Sequence, residues 1–306
     1  MKNFYFILIF ALVSMVLNPS MANAKLRILT TTTTLAGIAR EVGGDRAAVE
    51  SLTKGSQEPH SIEAKPSYMV KARDADVLIL SGLDLEIGWL SNILQGARNP
   101  KIQKGHSGYL EASQFIDPLD VPQGKVDRAE GDIHPFGNPH FQLDPVRVQK
   151  VALGIAKRLA EIDPSGKSVY DQNAASFNTK ISRDIDRWKK EVTASKVVTV
   201  VTYHRSFAYF FDRFGVTSVG ELEDKPGIQP SPNHLLDIMK IIREKKVPCI
   251  LQESFFPPKG AERIHDETGV KVINVATEVD ALPGISTYED LIQKLVDSIS
   301  ECGRKS

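Results

Sequence analysis

The stretch from Ser165 to Ser195, SGKSVYDQNAASFNTKISRDIDRWKKEVTAS, decides the fold because it predicts one helix of about 30 residues. Its apolar residues recur at helical spacing and form a single stripe: Tyr170, Phe177, Ile181, Ile185 and Trp188. A helix of this length usually connects two lobes of a protein. Strand and helix patterns alternate on both sides of it. We therefore expect an α/β protein with two α/β lobes, each a small sheet flanked by helices, joined by one long rigid helix.

The flanking elements divide the chain into residues 25–164 for the N-terminal lobe, 165–195 for the linking helix and 196–306 for the C-terminal lobe. Short apolar runs predict the strands Leu26–Thr30, Val49–Leu52, Val77–Ser81, Val197–Tyr203, Val216–Glu221, Ile250–Glu253 and Val270–Val275. Helical patterns cover Val146–Ile162, behind an N-cap at Asp144 and Pro145, and His234–Lys245.

Residues 1–24 predict a cleaved secretory signal. Lys2 precedes the apolar run from Phe4 to Leu17, and Ala22-Asn23-Ala24 supplies a small-residue cleavage site. A membrane anchor is the alternative, but the run is shorter than the ~20 residues that span a bilayer. Because no cysteine near the cleavage site could carry a lipid, we expect a periplasmic protein that is not inserted in the membrane after cleavage.

Charge and cysteine content narrow the function further. The 38 basic residues balance 38 acidic ones without a basic cluster, which argues against nucleic-acid binding. Cys249 and Cys302 are the two cysteines of an exported chain, so we expect a disulfide between them, with two separate buried thiols as the alternative. They are too far apart in sequence for the usual two-thiol zinc site.

Four potential metal ligands are spread along the chain: His60, His140, His204 and Asp280. Each follows a predicted strand or precedes a predicted helix, which is where open α/β sheets place ligand-binding groups. Two ligands come from each half, so we expect a metal ion held between the lobes. Three imidazoles and one carboxylate form a tetrahedral set suited to Zn²⁺.

At this point the sequence resembles a known family, the periplasmic metal-binding proteins that supply zinc and manganese ABC transporters. The matching segments follow the family's order over nearly the whole mature chain: Glu58-Pro59-His60 with Lys65-Pro66-Ser67, Asn138-Pro139-His140 with Leu143-Asp144-Pro145, His204 with Phe207 and Tyr209, Gly227-Ile228-Gln229-Pro230-Ser231-Pro232, and Asp280-Ala281-Leu282. The resemblance implies two lobes bridged by a long helix, the same four ligands, a membrane permease as partner and a monomer.

The third histidine bears on the choice of metal. Members of the family with Glu at that position look suited to manganese, which prefers oxygen donors, so His204 favours zinc. Some members with the same ligand set accept manganese, and a manganese or mixed carrier is therefore the alternative.

The chain departs from the family pattern at several positions. Many zinc-binding members carry a long histidine-rich loop, whereas residues 117–138 hold one histidine, His134. With Glu130 and Asp132 it is either a transient metal-capture group or part of an ordinary solvated loop. Gln142 stands where the family often has Trp. The segment around Asp280 is short, so Glu58 and Glu253 are alternative ligands or hydrogen-bond partners of ligand histidines.

The expected function is high-affinity zinc capture and delivery to a permease, without catalysis. A closed four-ligand shell leaves no position for an activated water. His-Glu-x-x-His, Gly-x-Ser-x-Gly and phosphate-loop motifs are absent from the sequence. The alternatives of another class are a metal-dependent adhesin and, if Asp280 does not coordinate, an open-site metallohydrolase. The stiff linking helix also predicts modest movement of the lobes.

Overall fold

Two four-stranded parallel sheets, flanked by helices, form the two lobes of the computed structural model, which describes residues 24–124, 131 and 133–304. Residues 1–23 of the predicted signal, as well as Glu130 and Asp132, lie outside the described residues. The first lobe contains β1 (Leu26–Thr30), α1 (Thr33–Gly43), β2 (Ala47–Ser51), α2 (Pro66–Asp74), β3 (Val77–Leu80), α3 (Leu90–Ala97), β4 (Tyr109–Glu111) and α4 (Pro145–Ile162).

The second lobe follows the long helix α5 (Lys167–Ser195). It contains β5 (Thr199–Thr202), α6 (Ala208–Phe214), β6 (Thr217–Glu221), α7 (Pro232–Lys245), β7 (Cys249–Glu253), α8 (Lys259–Thr268), β8 (Lys271–Val275) and α9 (Tyr288–Gly303). The strand orders, β2-β1-β3-β4 and β6-β5-β7-β8, are equivalent in the two lobes. The two-lobed α/β architecture expected from the sequence is therefore confirmed.

Helices cover both faces of each parallel sheet, so the side chains of its central strands are buried and apolar. All four residues of β3 and all five of β7 are buried. Where the chain enters α4, the Asp144 side chain accepts a hydrogen bond from the Val146 N–H, and Pro145 occupies the first helical position. These local signals fix the start of α4 five residues after His140.

The long helix α5 joins the lobes through a shared core. Its buried residues are Tyr170, Ala174, Phe177, Ile181, Trp188 and Val192. They belong to one apolar cluster that also contains Ile38 of the first lobe and Leu291 of the second. Ile185 is half-buried against the same cluster. The helix begins at Lys167 rather than Ser165, because Pro164–Gly166 forms a 3₁₀ turn ahead of it.

Backbone and side-chain hydrogen bonds join the lobes beside this core. Thr33 Oγ1 donates to the Val279 carbonyl at 2.5 Å, and the Thr34 N–H donates to Glu278 Oε2 at 2.9 Å. The Val279 N–H donates to Thr34 Oγ1 at 3.1 Å. The start of α1 is thereby fixed to the loop after β8.

The predicted disulfide is present and links Cys249, the first residue of β7, to Cys302 near the end of α9. Both half-cystines are buried. Among the described residues, no helix combines the length and apolar character needed to cross a membrane.

Candidate metal centre

Three of the four predicted ligands converge between the lobes. His60 lies in the loop after β2, His140 precedes α4, and His204 follows the carboxyl end of β5. Each offers a ring nitrogen, and these nitrogens all lie within 4.8 Å of one another. The ring centroids are separated by 5.1 to 5.5 Å. Imidazoles from both lobes thus point to one shared position for an ion.

His60 is held by its own loop. Its Nδ1 makes a very short hydrogen bond with Glu58 Oε1, which also accepts the His60 backbone N–H at 2.9 Å. Burial raises the pKa of Glu58, but its hydrogen bond to the His60 ring and its electrostatic interaction with His60 lower that pKa below its usual value. A carboxylate on Nδ1 favours the tautomer with the proton on that atom. Nε2 of His60 is then free to bind a metal ion.

His204 is held in the same manner by a residue that the sequence did not indicate. Its Nδ1 lies 2.7 Å from Glu223 Oε2, and both side chains are largely buried. Glu223 also accepts the Gly227 backbone N–H at 3.2 Å. The signal that could have indicated Glu223 is its position just after β6, at the carboxyl edge that also carries His204.

His140 has a different environment. Its backbone N–H donates to Asn138 Oδ1 at 2.9 Å, while its buried Nε2 has no hydrogen-bond partner among the described residues. Burial, followed by electrostatic interaction with the neighbouring imidazoles of His60 and His204, lowers the pKa of His140 well below its usual value. A buried neutral nitrogen without a partner is costly, and a bound cation would satisfy it.

Asp280 lies outside this cluster and its side chain is exposed. Its backbone has φ 60° and packs against the loop that carries His60. A Cβ at Gly55 in that loop would lie 2.2 Å from the Val279 carbonyl oxygen and 2.7 Å from the Asp280 carbonyl carbon. The structure therefore brings three of the four predicted ligands together and leaves Asp280 facing solvent.

Glu253 is fully buried at the end of β7. Its Oε1 accepts a hydrogen bond from the Ser206 hydroxyl at 2.5 Å, whereas Oε2 has no partner among the described residues. Burial raises the pKa of Glu253 to about 8. At neutral pH this carboxyl is therefore mainly protonated and a weaker metal ligand than a carboxylate.

Gln142, at the position where the family often has Trp, contacts the second lobe. Its Nε2 donates to the Thr277 carbonyl and to Glu278 Oε1, each at 3.3 Å. Tyr288 in turn donates to the Gln142 carbonyl at 2.9 Å. Gln142 thus joins the segment after His140 to the loop after β8.

A fourth imidazole, His134, lies beside the cluster. Its Nε2 is 3.2 Å from Nε2 of His60, and it lines a cavity of about 310 Å³ together with His140 and His204. Neutral imidazoles suit zinc and other borderline divalent ions. The centre can therefore bind a divalent cation through nitrogen.

Comparison with known proteins identifies the family of this chain. A profile of the family described as zinc-uptake complex component A, periplasmic, matches residues 28–302. The iron-binding protein YfeA of Yersinia pestis is 30% identical over 292 residues, covering 93% of this chain and 88% of that protein. The manganese ABC transporter substrate-binding lipoprotein PsaA of Streptococcus pneumoniae is 26% identical over 255 residues, covering 81% and 78%.

Solved structures share the fold. The crystal structure of ZnuA has a TM-score of 0.77 at 23% identity and covers 92% of this chain and 100% of its own. The laminin-binding protein Lmb of Streptococcus agalactiae, described as having adhesin and metal transporting activity, has a TM-score of 0.76 at 25% identity, covering 91% and 100%. The chain therefore belongs to the zinc-uptake complex component A family, the metal-binding solute-binding proteins of ABC transporters, which are not enzymes.

Proposed function

We propose that this protein captures Zn²⁺ in the periplasm and delivers it, as a monomer, to the membrane permease of an ABC transporter. The observation that carries the proposal is the convergence of His60, His140 and His204 from both lobes to within 4.8 Å. The unpartnered buried nitrogen of His140 supports a cation at that position.

The donor atoms favour zinc as the cargo. Manganese prefers oxygen ligands, whereas imidazole nitrogen suits zinc. In the described residues, the carboxylates nearest to the cluster, Glu58 and Glu223, are occupied by hydrogen bonds to Nδ1 atoms. The relatives named for manganese and iron show that the family accommodates other ions, so manganese is the competing outcome.

The test is a competitive titration of metal-free protein, residues 25–306, with zinc and manganese against chelators. We expect one tight zinc site that His60→Ala, His140→Ala and His204→Ala each weaken strongly. His106→Ala is the matched control, because His106 is exposed and lies outside the cluster. Manganese preference in the unmodified protein, or full zinc affinity in all three variants, would refute the proposal.

Two further variants refine the assignment. Asp280→Ala tests the fourth ligand predicted from the sequence, and from its exposed position we expect little loss of zinc affinity. His204→Glu replaces a nitrogen by oxygen donors, so we expect a shift of preference towards manganese. Permanent retention of zinc during dialysis would instead favour a metal-dependent adhesin, in which the ion is structural.

A further inference from the structure

Another cavity lies between the lobes, beside the carboxylates that hold the Nδ1 atoms of His60 and His204. Its volume is about 380 Å³. The first lobe contributes Glu58 and Ser61 to its lining, and the second lobe contributes Tyr203, Glu223, Gln229 and Phe256. Within the described residues, the 117–138 loop takes no part in this lining. The cavity is therefore a separate surface formed by both lobes.

The two carboxylates that line this cavity each have one oxygen without a partner. Oε1 of Glu58 binds the ring and the backbone N–H of His60, and Oε2 of Glu223 binds the ring of His204 and the N–H of Gly227. Among the described residues, their other oxygens make no hydrogen bond, and neither carboxylate forms an ion pair with Lys or Arg. Two carboxylates around one cavity without a basic partner favour a bound cation.

Tyr203 supplies a buried hydroxyl to the same cavity. Its side chain is 2% exposed, and its hydroxyl has no hydrogen-bond partner in the part of the chain that the structure describes. Buried polar groups in proteins are nearly always hydrogen-bonded. A hydroxyl of this kind indicates a ligand that can form a hydrogen bond with it.

An aromatic pair forms one side of the cavity. The rings of Tyr203 and Phe256 are stacked, with centroids 4.2 Å apart and planes inclined by 15°. A planar guanidinium packs on aromatic rings and donates parallel N–H bonds to carboxylates, whereas an ammonium is a compact point charge without this planar fork. Carboxylates, a hydroxyl and stacked rings in one cavity therefore suit a guanidinium better than an ammonium.

Occupation of this cavity by a cation affects the metal centre. Glu58 and Glu223 orient His60 and His204 through their Nδ1 atoms. A guanidinium bound to these carboxylates competes with the imidazoles for them, which lowers the basicity of the ligand nitrogens. Its positive charge also opposes that of the metal ion. The two cations therefore weaken each other's binding, and this coupling is reciprocal.

We propose that this cavity binds an arginine side chain of the permease that receives the ion, and that its entry lowers the affinity of the protein for zinc. The proposal rests on the proposed function, because the cargo and the membrane partner are those stated there. It assigns to Glu58 and Glu223 a second role, as the groups that recognise the partner. Docking would thereby promote transfer of the ion without separation of the lobes.

The experiment uses N-acetyl-arginine amide as the probe, because its blocked ends do not chelate zinc. Chelator competition measures the zinc affinity of the protein, residues 25–306, at saturating probe and constant ionic strength. We expect the affinity to fall by about tenfold, the lower end of the effect of losing a partner that orients a ligand. N-acetyl-citrulline amide, a neutral molecule of similar shape, should have no effect. N-acetyl-lysine amide should have a smaller effect than the arginine probe.

Variants of the aromatic pair locate the probe. Tyr203→Phe removes the hydroxyl and keeps the ring, and Phe256→Leu removes the stacking partner. We expect both to bind the arginine probe more weakly than the wild type. Tyr109→Phe is the matched control, because its hydroxyl donates to Glu111 in the first lobe, away from this cavity. Circular dichroism verifies folding. An undiminished probe affinity in both Tyr203→Phe and Phe256→Leu would place the probe elsewhere and overturn the proposal.

Calorimetry of the probe with metal-free protein separates this inference from the function on which it rests. Absence of saturable binding, or equal binding of the citrulline probe, would overturn the inference and leave zinc capture intact. An equal effect of the lysine probe would overturn the assignment to a guanidinium, and binding without any change in zinc affinity would overturn the coupling. Full zinc affinity in His60→Ala, His140→Ala and His204→Ala would remove the proposed function, whereas calorimetry would still decide whether the cavity binds the probe.

Discussion

Within the candidate metal centre, the histidines differ in how their rings are held. His60 and His204 each have one nitrogen hydrogen-bonded to a carboxylate, which fixes the ring and increases the basicity of the other nitrogen. His140 has no such partner for its ring among the described residues and depends on burial and on its backbone contact with Asn138. The centre therefore combines two oriented ligands with one whose nitrogen needs a cation.

Glu223→Gln tests this orientation. The amide keeps the size of the side chain but removes the negative charge beside Nδ1 of His204. We expect zinc affinity to fall by about 10–100-fold, as for other partners that orient a metal ligand. Chelator competition measures the change, and Glu262→Gln on the exposed face of α8 is the control. Equal affinities of Glu223→Gln and wild type would show that the carboxylate does not support the ligand.

The residues that converge could be predicted only in part. His60, His140 and His204 are marked by their places beside strand ends and a capped helix, which are local features of the sequence. Glu223 is 19 residues from His204, and only the parallel pairing of β5 with β6 brings them together. Likewise, the left-handed backbone of Asp280, at φ 60°, lies against Gly55, which is distant in sequence, so this contact could not be read from a local pattern. Its role as a ligand, predicted from the sequence, is decided by the Asp280→Ala titration, in which the exposed position of the side chain leads us to expect little loss of zinc affinity.

At the level of elements, the disulfide connects a central strand to the last helix. Cys249 starts β7, which leads to Glu253 behind His204, and Cys302 lies near the end of α9. The bridge closes a segment with a sequence separation of 53 residues. In the chain-entropy treatment, such a closure stabilises the folded protein by about 4 kcal/mol.

The double variant Cys249→Ser/Cys302→Ser should accordingly lose about 4 kcal/mol in free energy of unfolding, because its unfolded chain is no longer restrained. Urea unfolding of metal-free protein measures the loss. Wild-type protein unfolded with a reductant is the matched comparison and should show a similar decrease. A loss below about 1 kcal/mol, typical of an ordinary substitution, would contradict this account.

Helices with a strong apolar periodicity could be predicted from the sequence, whereas short strands without a clear pattern could not. The long helix, α4 and α7 carry apolar stripes, α4 and α7 also begin at the capping residues Asp144 and Ser231, and the structure contains all three helices. β4 has three residues, too few to show a pattern. The run predicted as a strand from Val197 to Tyr203 is shorter, Thr199–Thr202, since Lys196 ends α5 at φ 59° and the chain needs two residues to reach the sheet.

For the whole molecule, the shared core supports the expectation of modest lobe movement. The apolar cluster around α5 runs through both lobes without a break, and close-packed interiors resist hinge bending. The hydrogen bonds from Thr33 and Thr34 to the loop after β8 add a second connection. Release of metal is therefore more consistent with local movement of ligand-bearing loops than with separation of the lobes.

Glu278 makes this connection between the lobes sensitive to pH. It is fully buried, and burial raises its pKa from 4.5 to about 7 against the opposing hydrogen bonds from Thr34 and Thr32. Because the folded-state pKa lies above the unfolded value, the protonated carboxyl stabilises the fold below about pH 4.5. That contribution is lost as the pH rises through about 7.

Glu278→Gln should abolish this loss of stability at rising pH, since the amide keeps the shape of the side chain but does not ionise. Relative to wild type, we expect the variant to gain stability between pH 5 and pH 8, by up to about 3 kcal/mol for a shift of this size. Unfolding of metal-free protein by urea at both pH values measures the gain, and Glu262→Gln at an exposed position controls for the change of net charge. The titrations of His134 and His140 are common to both proteins and cancel in the comparison. A stability difference that is the same at pH 5 and pH 8 would mean that Glu278 does not ionise within the interface, and that the lobes are joined independently of pH.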